Sequence, residues 1–126
     1  MAKLFLFFSH KLTEEQTKDA KETLAISEIV SLPNEIQTLW SNVPADIADV
    51  TEFLKPMKEF LVSEAKEGDF VLIQGDCGAV VEMVTFAKEN HLIPIYATTT
   101  RDVTDSIKDG VVKKISHFRH ERFRNY

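Results

Sequence analysis

Apolar positions along the chain follow two different periods. Residues 3–8 (KLFLFF) form a short apolar, aromatic-rich run that ends at Ser9-His10-Lys11, the pattern of a buried strand with its exit loop. Thr13 stands three residues before Gln16, a capping-box spacing, and opens a highly charged helix to about residue 24. Its few apolar positions, Leu12, Ala20 and Leu24, predict a surface helix. Residues 28–32 (EIVSL) predict a second strand closed by Pro33. Asn34 and Gln37 repeat the capping spacing before a short helix holding Ile36, Leu39 and Trp40, broken at 41–44.

Further on, Phe53, Leu54, Met57, Phe60, Leu61 and Ala65 recur at spacings of three and four. They predict a helix from about residue 46 or 51 to 65, with Pro56 either kinking it or marking a start near residue 55. FVLI at 70–73 is the most clearly buried strand; it runs into Gln74-Gly75-Asp76-Cys77-Gly78 and a helix from about 79 to 89. Residues 91–97 return as a strand ending in Thr98-Thr99-Thr100. Asp109-Gly110 is a two-residue hairpin signal between antiparallel strands near 101–107 and 111–119.

Strand, helix, strand, helices, strand, helix, strand, hairpin is the order of an α/β sandwich with a mostly parallel sheet and an antiparallel pair at its C-terminal edge. A length of 126 residues suits one domain over 1–126. The apolar fraction of 44% and charged fraction of 28% are those of a globular chain rather than a disordered one. No apolar run approaches the ~20 residues of a membrane helix, and the first apolar stretch lacks a secretion signal's length and cleavage site. One cysteine, Cys77, leaves no internal disulfide or multi-cysteine zinc site and suits a reducing compartment, so a cytoplasmic location without membrane attachment is expected.

Charge is unevenly distributed. Residues 1–110 carry 10 Lys+Arg against 19 Asp+Glu, a balance of −9; residues 111–126 carry five cations against Glu121, a balance of +4. An acidic body is a poor general binder of DNA, because phosphate attraction grows with the number of cationic contacts. The basic end, with His117, His120, Phe118, Phe123 and Tyr126, fits either a small-anion site or a solvated charged strand.

Ligands of open α/β sheets bind beyond the C-terminal ends of the parallel strands. Those ends are Ser9-His10, residues 74–78 and residues 98–100. Gly75-x-x-Gly78 between strand and helix suits either an anion held at a helix N-terminus or simply a tight turn. Asp76 is a candidate N-cap whose carboxylate would compete with a phosphate. His10 is a candidate general acid or base, or a cap. Ser9 lacks the glycines of a nucleophile elbow. His117 and His120, three apart on a strand, do not make a two-histidine metal site without distortion. Cys77 near a helix start is either a lowered-pKa thiol or a packed small residue. The Thr98 and Thr99 hydroxyls suit a pocket lining or an ordinary strand end.

Four blocks in order, KLFLFFSHKLT at 3–13, LWSNVP at 39–44, VLIQGD at 71–76 and Arg119-His-x-Arg-Phe-Arg at 119–124, resemble the small Csx-type CRISPR-associated ring nucleases of type III systems. The resemblance spans nearly the whole chain. It implies a Rossmann-like three-layer domain related to cyclic-oligoadenylate sensor domains, working as a homodimer. It implies cyclic tetra-adenylate as ligand, whose two-fold ring matches a two-fold protein axis. The implied reaction is metal-independent attack by a ribose 2′-hydroxyl, giving a 2′,3′-cyclic phosphate without a cofactor. On that basis Gln74, Gly75, Asp76, Cys77 and Gly78 are expected to cradle phosphate and ribose, with Cys77 not essential. Ser9 and His10 are expected to face the same cleft, His10 positioning the hydroxyl or protonating the leaving group. Thr98 and Thr99 are expected on ribose or base. Arg119, His120 or Arg122 are expected to stabilise the phosphorane, strand alternation placing His120 and Arg122 on one face. A non-catalytic messenger sponge or sensor, and a regulatory α/β module that binds a protein partner, are the competing readings.

Overall fold

A computed structural model describes residues 2–108 and 110–126, apart from the side chains of residues 102–104, 106, 108 and 114–117. Elements follow in the order β1 (Ala2–Phe7), α1 (Glu14–Thr23), β2 (Ile26–Ser31), α2 (Asn34–Ser41), α3 (Lys55–Glu64), β3 (Phe70–Ile73), α4 (Cys77–Glu89), β4 (Ile93–Lys108) and β5 (Val111–Asn125). Asp109 and the His117 side chain, on which the hairpin signal and the paired-histidine spacing rest, lie outside the described residues.

Local chemistry sets most boundaries. Thr13 and Gln16 close a reciprocal capping box at the start of α1: Thr13 Oγ1 accepts from Gln16 N at 3.1 Å, and Gln16 Oε1 accepts from Thr13 N at 3.0 Å. Pro56 falls in the first turn of α3, where its missing N–H leaves no bond unmade, so the helix begins at Lys55 and is not kinked. Two expectations are corrected. Asn34 is the first residue of α2 rather than its cap; Pro33 holds the N-cap position and no side chain caps that helix. And α4 starts two residues early, at Cys77, because Asp76 Oδ2 accepts from Ala79 N at 3.0 Å.

The sheet order is β2-β1-β3-β4-β5. The β1–β2, β1–β3 and β3–β4 pairs are parallel and β4–β5 is antiparallel. Alternation sorts the strand side chains onto two faces. Leu4, Leu6, Ile26, Leu72, Ile95 and Phe123 meet Ala20 of α1 on one side. Phe5, Phe7, Val71 and Ile73 meet Trp40 of α2, Met57 and Leu61 of α3, and Ala79, Met83 and Ala87 of α4 on the other. The result is a Rossmann-like α/β fold with helices on both faces of a mostly parallel sheet. β1 leaves through α1 toward β2, whereas β3 leaves through α4 toward β4, on the opposite face and in the opposite direction. Adjacent strands with diverging exits open a crevice between them, and here that switch point lies between the ends of β1 and β3.

Among the described residues β4 pairs with β3 from Ile93 to Ile95 and then continues with β5 to the Lys108–Val111 pair. The ladder slips between Thr98, which faces Arg122, and Thr99, which faces His120, leaving Glu121 as the extra residue of a bulge. No helix among the described residues is long and apolar enough to cross a membrane.

Candidate functional site

Three adjoining depressions run along the C-terminal edge of the sheet. The central one, about 250 Å3, lies at the switch point and is lined by Phe8, Ser9, His10, Gln74 and Gly75. On the β2 side a larger hollow of about 560 Å3 shares Ser9 and His10 and adds Lys11, Ser31, Asn34, Gln37 and Ser41 among its walls. On the β4 side a hollow of about 390 Å3 shares Gln74 and Gly75 and adds Cys77, Val80, Tyr96 and Tyr126. The shared residues make these one crevice in three bays.

The loop that carries His10 is fastened to α2. Gln37 Nε2 donates to the Phe8 carbonyl and to Ser41 Oγ, both at 3.0 Å, and Ser41 Oγ donates to Ser9 Oγ at 3.2 Å. The His10 ring meets Phe8 edge-on at 5.4 Å and is otherwise exposed to the crevice. Gln74 crosses the floor. Its N–H donates to the Phe7 carbonyl at 3.0 Å, its carbonyl accepts from Trp40 Nε1 at 3.1 Å, and its Oε1 accepts from Ala97 N at 2.9 Å. Both oxygens are engaged in structure, so its side-chain amide nitrogen is what it offers a ligand.

The two glycines of the expected cradle differ. A Cβ on Gly75 would stand 3.2 Å from the buried Trp40 ring, a tight contact that the indole must relieve by giving way a few tenths of an ångström against α2. A Cβ on Gly78 would meet only Asp76 Oδ2, at 3.5 Å, an ordinary contact. Gly75→Ala is therefore expected to cost about 1–3 kcal/mol by overpacking. Gly78→Ala, in the first turn of α4, is expected to gain up to about 1 kcal/mol from a stiffer unfolded chain. Urea titrations of the two variants should bracket the wild-type midpoint, Gly75→Ala below it and Gly78→Ala at or above it. A Gly75→Ala midpoint equal to wild type would contradict the packing assigned to Trp40.

The phosphate cradle expected at 74–78 is also changed by Asp76. Its carboxylate occupies the N-terminus of α4, where it repels an anion. Thr13 likewise fills the start of α1, while α2 has no side-chain cap and its Asn34 lines the largest bay beside Lys11. The open helix N-terminus of this edge is thus that of α2, which the sequence assigned to Asn34 as a cap.

The expected residues of the C-terminal strand do not gather at the crevice. His120 is buried on the α1 face, its Nε2 2.7 Å from Asp19 Oδ2 and its Nδ1 without a hydrogen-bond partner among the described residues. The bulge at Glu121 turns His120 to the same side as Phe123, whose ring is 4.9 Å away, and overrides simple alternation with Arg122. Burial raises the Asp19 pKa, but hydrogen bonds from Thr23 and His120 and the charges of His120 and Arg122 outweigh it and hold the carboxyl below the ordinary 3.8. The Thr98 hydroxyl is spent on β5, donating to the Arg122 carbonyl at 3.0 Å and accepting from Arg122 N at 3.2 Å. Thr98, Thr99, Arg119 and Arg122 line none of the three bays, and neither does Gly78.

Other residues take their place. Tyr96 and Tyr126 meet in the β4 bay with ring centroids 4.8 Å apart and planes tilted by 47°, with Arg124 over the Tyr96 ring and its Nη1 donating to Tyr96 Oη at 3.0 Å. Burial, with Tyr96 adding to it, pushes the Tyr126 phenol above its ordinary pKa of 10.0, so it remains a donor, bonded to the Ile73 carbonyl. Tyr96 follows buried Ile95, and strand alternation alone turns it toward α4; that was the available signal. Among the described residues no three His, Cys, Asp or Glu side chains gather in a cluster fit for a metal ion.

Fold and crevice together define a doubly wound α/β protein with a three-bay groove at its switch point. Residues 2–124 match the family described as "Uncharacterized protein MJ1673 family". The chain is 53% identical over 126 residues to the Methanocaldococcus jannaschii protein described as "Uncharacterized protein MJ1673", covering all of this chain and 98% of that one. The chain belongs to the MJ1673 family. No solved structure matches it.

Proposed function

We propose that the protein is a ring nuclease that degrades a cyclic oligoadenylate, cyclic tetra-adenylate first, as a homodimer, and so switches off type III CRISPR signalling. The observation that carries this reading is the central bay, where the ends of β1 and β3 bring Ser9, His10, Gln74 and Gly75 together at the switch point. The flanking bays extend it in both directions. On one side Lys11 and the uncapped start of α2 suit a phosphate. On the other, the Tyr96–Tyr126 pair suits a stacked base, with Arg124 beside it for the adjoining phosphate.

In this reaction the nucleophile is the substrate's own 2′-hydroxyl. It attacks the neighbouring phosphorus, the P–O5′ bond breaks, the hydroxyl proton passes to a base, and the leaving 5′-oxygen takes up a proton. The bays hold three points of the ring, which aligns the attacking oxygen with the leaving one; alignment supplies several kcal/mol of the barrier, of an upper limit near ~11. His10 stands in the bay where proton transfer is needed, and imidazole exchanges protons near neutrality.

The test incubates the protein with a large molar excess of cyclic tetra-adenylate in EDTA and follows products by mass spectrometry. Linear products ending in a 2′,3′-cyclic phosphate, many per protein, are expected. Intact ring retained at one equivalent per dimer would replace the enzyme with a messenger sponge. Calorimetry showing no binding of any cyclic oligoadenylate would leave the regulatory module.

A further inference from the structure

We propose that the Gln74 side-chain amide is a catalytic group: its Nε2 donates to a non-bridging oxygen of the scissile phosphate and stabilises the phosphorane. This role rests on the ring-nuclease reading above, in which the stabilising donor is otherwise missing. Arg119 and Arg122 line none of the bays, and His120 is turned to the α1 face against Asp19. Lys11 lines the β2 bay and not the central one. The charge that develops beside His10 needs a donor within the central bay itself.

Gln74 is held there by three bonds. Its N–H donates to the Phe7 carbonyl at 3.0 Å, its carbonyl accepts from Trp40 Nε1 at 3.1 Å, and its Oε1 accepts from Ala97 N at 2.9 Å. Ala97 lies beyond the last β3–β4 pair, Leu72 with Ile95, so the side chain prolongs the ladder where β3 has already ended. A backbone N–H can only donate, which gives the amide a single orientation, with Oε1 toward the sheet and Nε2 on the other side. Neither N–H of Nε2 is used among the described residues.

The position suits a phosphate. Gln74 lines both the central bay, with Ser9 and His10, and the β4 bay, with Tyr96 and Tyr126. A nucleotide whose base lies against the tyrosines carries its phosphate across Gln74 to reach His10. Among the described residues no carboxylate lines the central bay, and Asp76 next to it in the chain is spent on Ala79 N. Once the 2′-hydroxyl proton has passed to the base and the 2′-oxygen has bonded to phosphorus, the non-bridging oxygens hold one more negative charge than in the diester. Breakage of the P–O5′ bond and protonation of that oxygen remove it. An N–H donor gains most at the charged stage, and one already held in place needs no reorganisation to act there.

Single-turnover cleavage of cyclic tetra-adenylate and calorimetry with its uncleavable 2′-deoxy ring test the role together. Gln74→Met, which keeps the length and removes the donor, is expected to slow cleavage by about 10²–10³-fold. It is expected to weaken binding of the 2′-deoxy ring by less than about tenfold, the worth of one neutral hydrogen bond. Gln74→Glu keeps an oxygen for Ala97 N and sets a carboxylate against the phosphate; it is expected to be slower still, and carries the test should Gln74→Met not fold in a urea titration. Rings with sulfur at one non-bridging position of each phosphate give a readout that a merely structural role would not move. Wild type is expected to cleave one diastereomer more slowly than the other, because sulfur is a poor acceptor, and the Gln74 variants to lose that preference. Cleavage by the variants near the wild-type rate, a loss of binding as large as the loss of rate, or a preference that survives in them overturns the role and leaves the ring-nuclease reading standing. A wild type that binds the ring and does not cleave it overturns that reading, and the role with it.

Discussion

Trp40→Ala is expected to lower the unfolding free energy by about 3–5 kcal/mol, the range for deleting a buried tryptophan. The indole is 2% exposed and stands at the join between helix layer and crevice floor. It packs edge-on against Phe7 at 5.4 Å, donates to the Gln74 carbonyl at 3.1 Å, and lies against the bare Cα of Gly75. Truncation removes the ring's burial, opens a cavity and strips the Gln74 carbonyl of its donor at once. Trp40→Phe keeps most of the packing but not the N–H, and should recover more than half of the loss while leaving the carbonyl unpaired. Chemical denaturation of both variants separates the two contributions. Ring binding should weaken in parallel, since the floor residue Gln74 is held from below by Trp40. A Trp40→Ala protein as stable as wild type would show that the indole does not anchor the β3 exit.

Much of this framework was legible in the sequence because it depends on neighbours. Thr13 and Gln16 make their box within one turn. Pro56 fixes the start of α3 by what it cannot donate, and FVLI at 70–73 is too apolar to be anything but a central strand. The site was legible only at the strand ends, which topology brings together whatever the side chains do. What failed depends on distance. The partner of His120 is Asp19, 101 residues earlier, and its orientation follows from a bulge at Glu121 that carries no glycine to announce it. Gly75 is visible as a glycine, yet the reason for it is an indole 35 positions upstream. Asn34 has the residue type and spacing of a cap, but Pro33, with φ −55° and ψ 149°, already occupies the extended turn that a cap requires. Tyr96 and Tyr126 come together only once β5 has returned beside β4.

The two histidines once placed in a single mechanism should therefore separate by what their loss affects. His10→Ala is expected to slow single-turnover cleavage of cyclic tetra-adenylate by about 10²–10⁴-fold, the usual worth of a positioned general acid or base, with little change in unfolding free energy. Its ring is exposed and lies edge-on to Phe8 at the crevice wall. His120→Ala should behave in the opposite sense. It leaves a gap against Phe123 and takes from Asp19 a partner 2.7 Å away, at a cost of about 1–3 kcal/mol. Rates for His120→Ala should stay near wild type at a temperature where it is fully folded. Acid unfolding adds a second readout for the buried pair. The Asp19 carboxyl is lowered in the folded state, so the stability it contributes is present above its unfolded value of 3.8 and is lost as the pH falls through the lower folded value. His120→Ala should flatten that acid limb, and His10→Ala should leave it unchanged. If His10→Ala cleaves at the wild-type rate, the crevice lacks its proton carrier and the ring-nuclease reading loses its chemistry; if His120→Ala is stable but inactive, β5 contributes to the reaction after all.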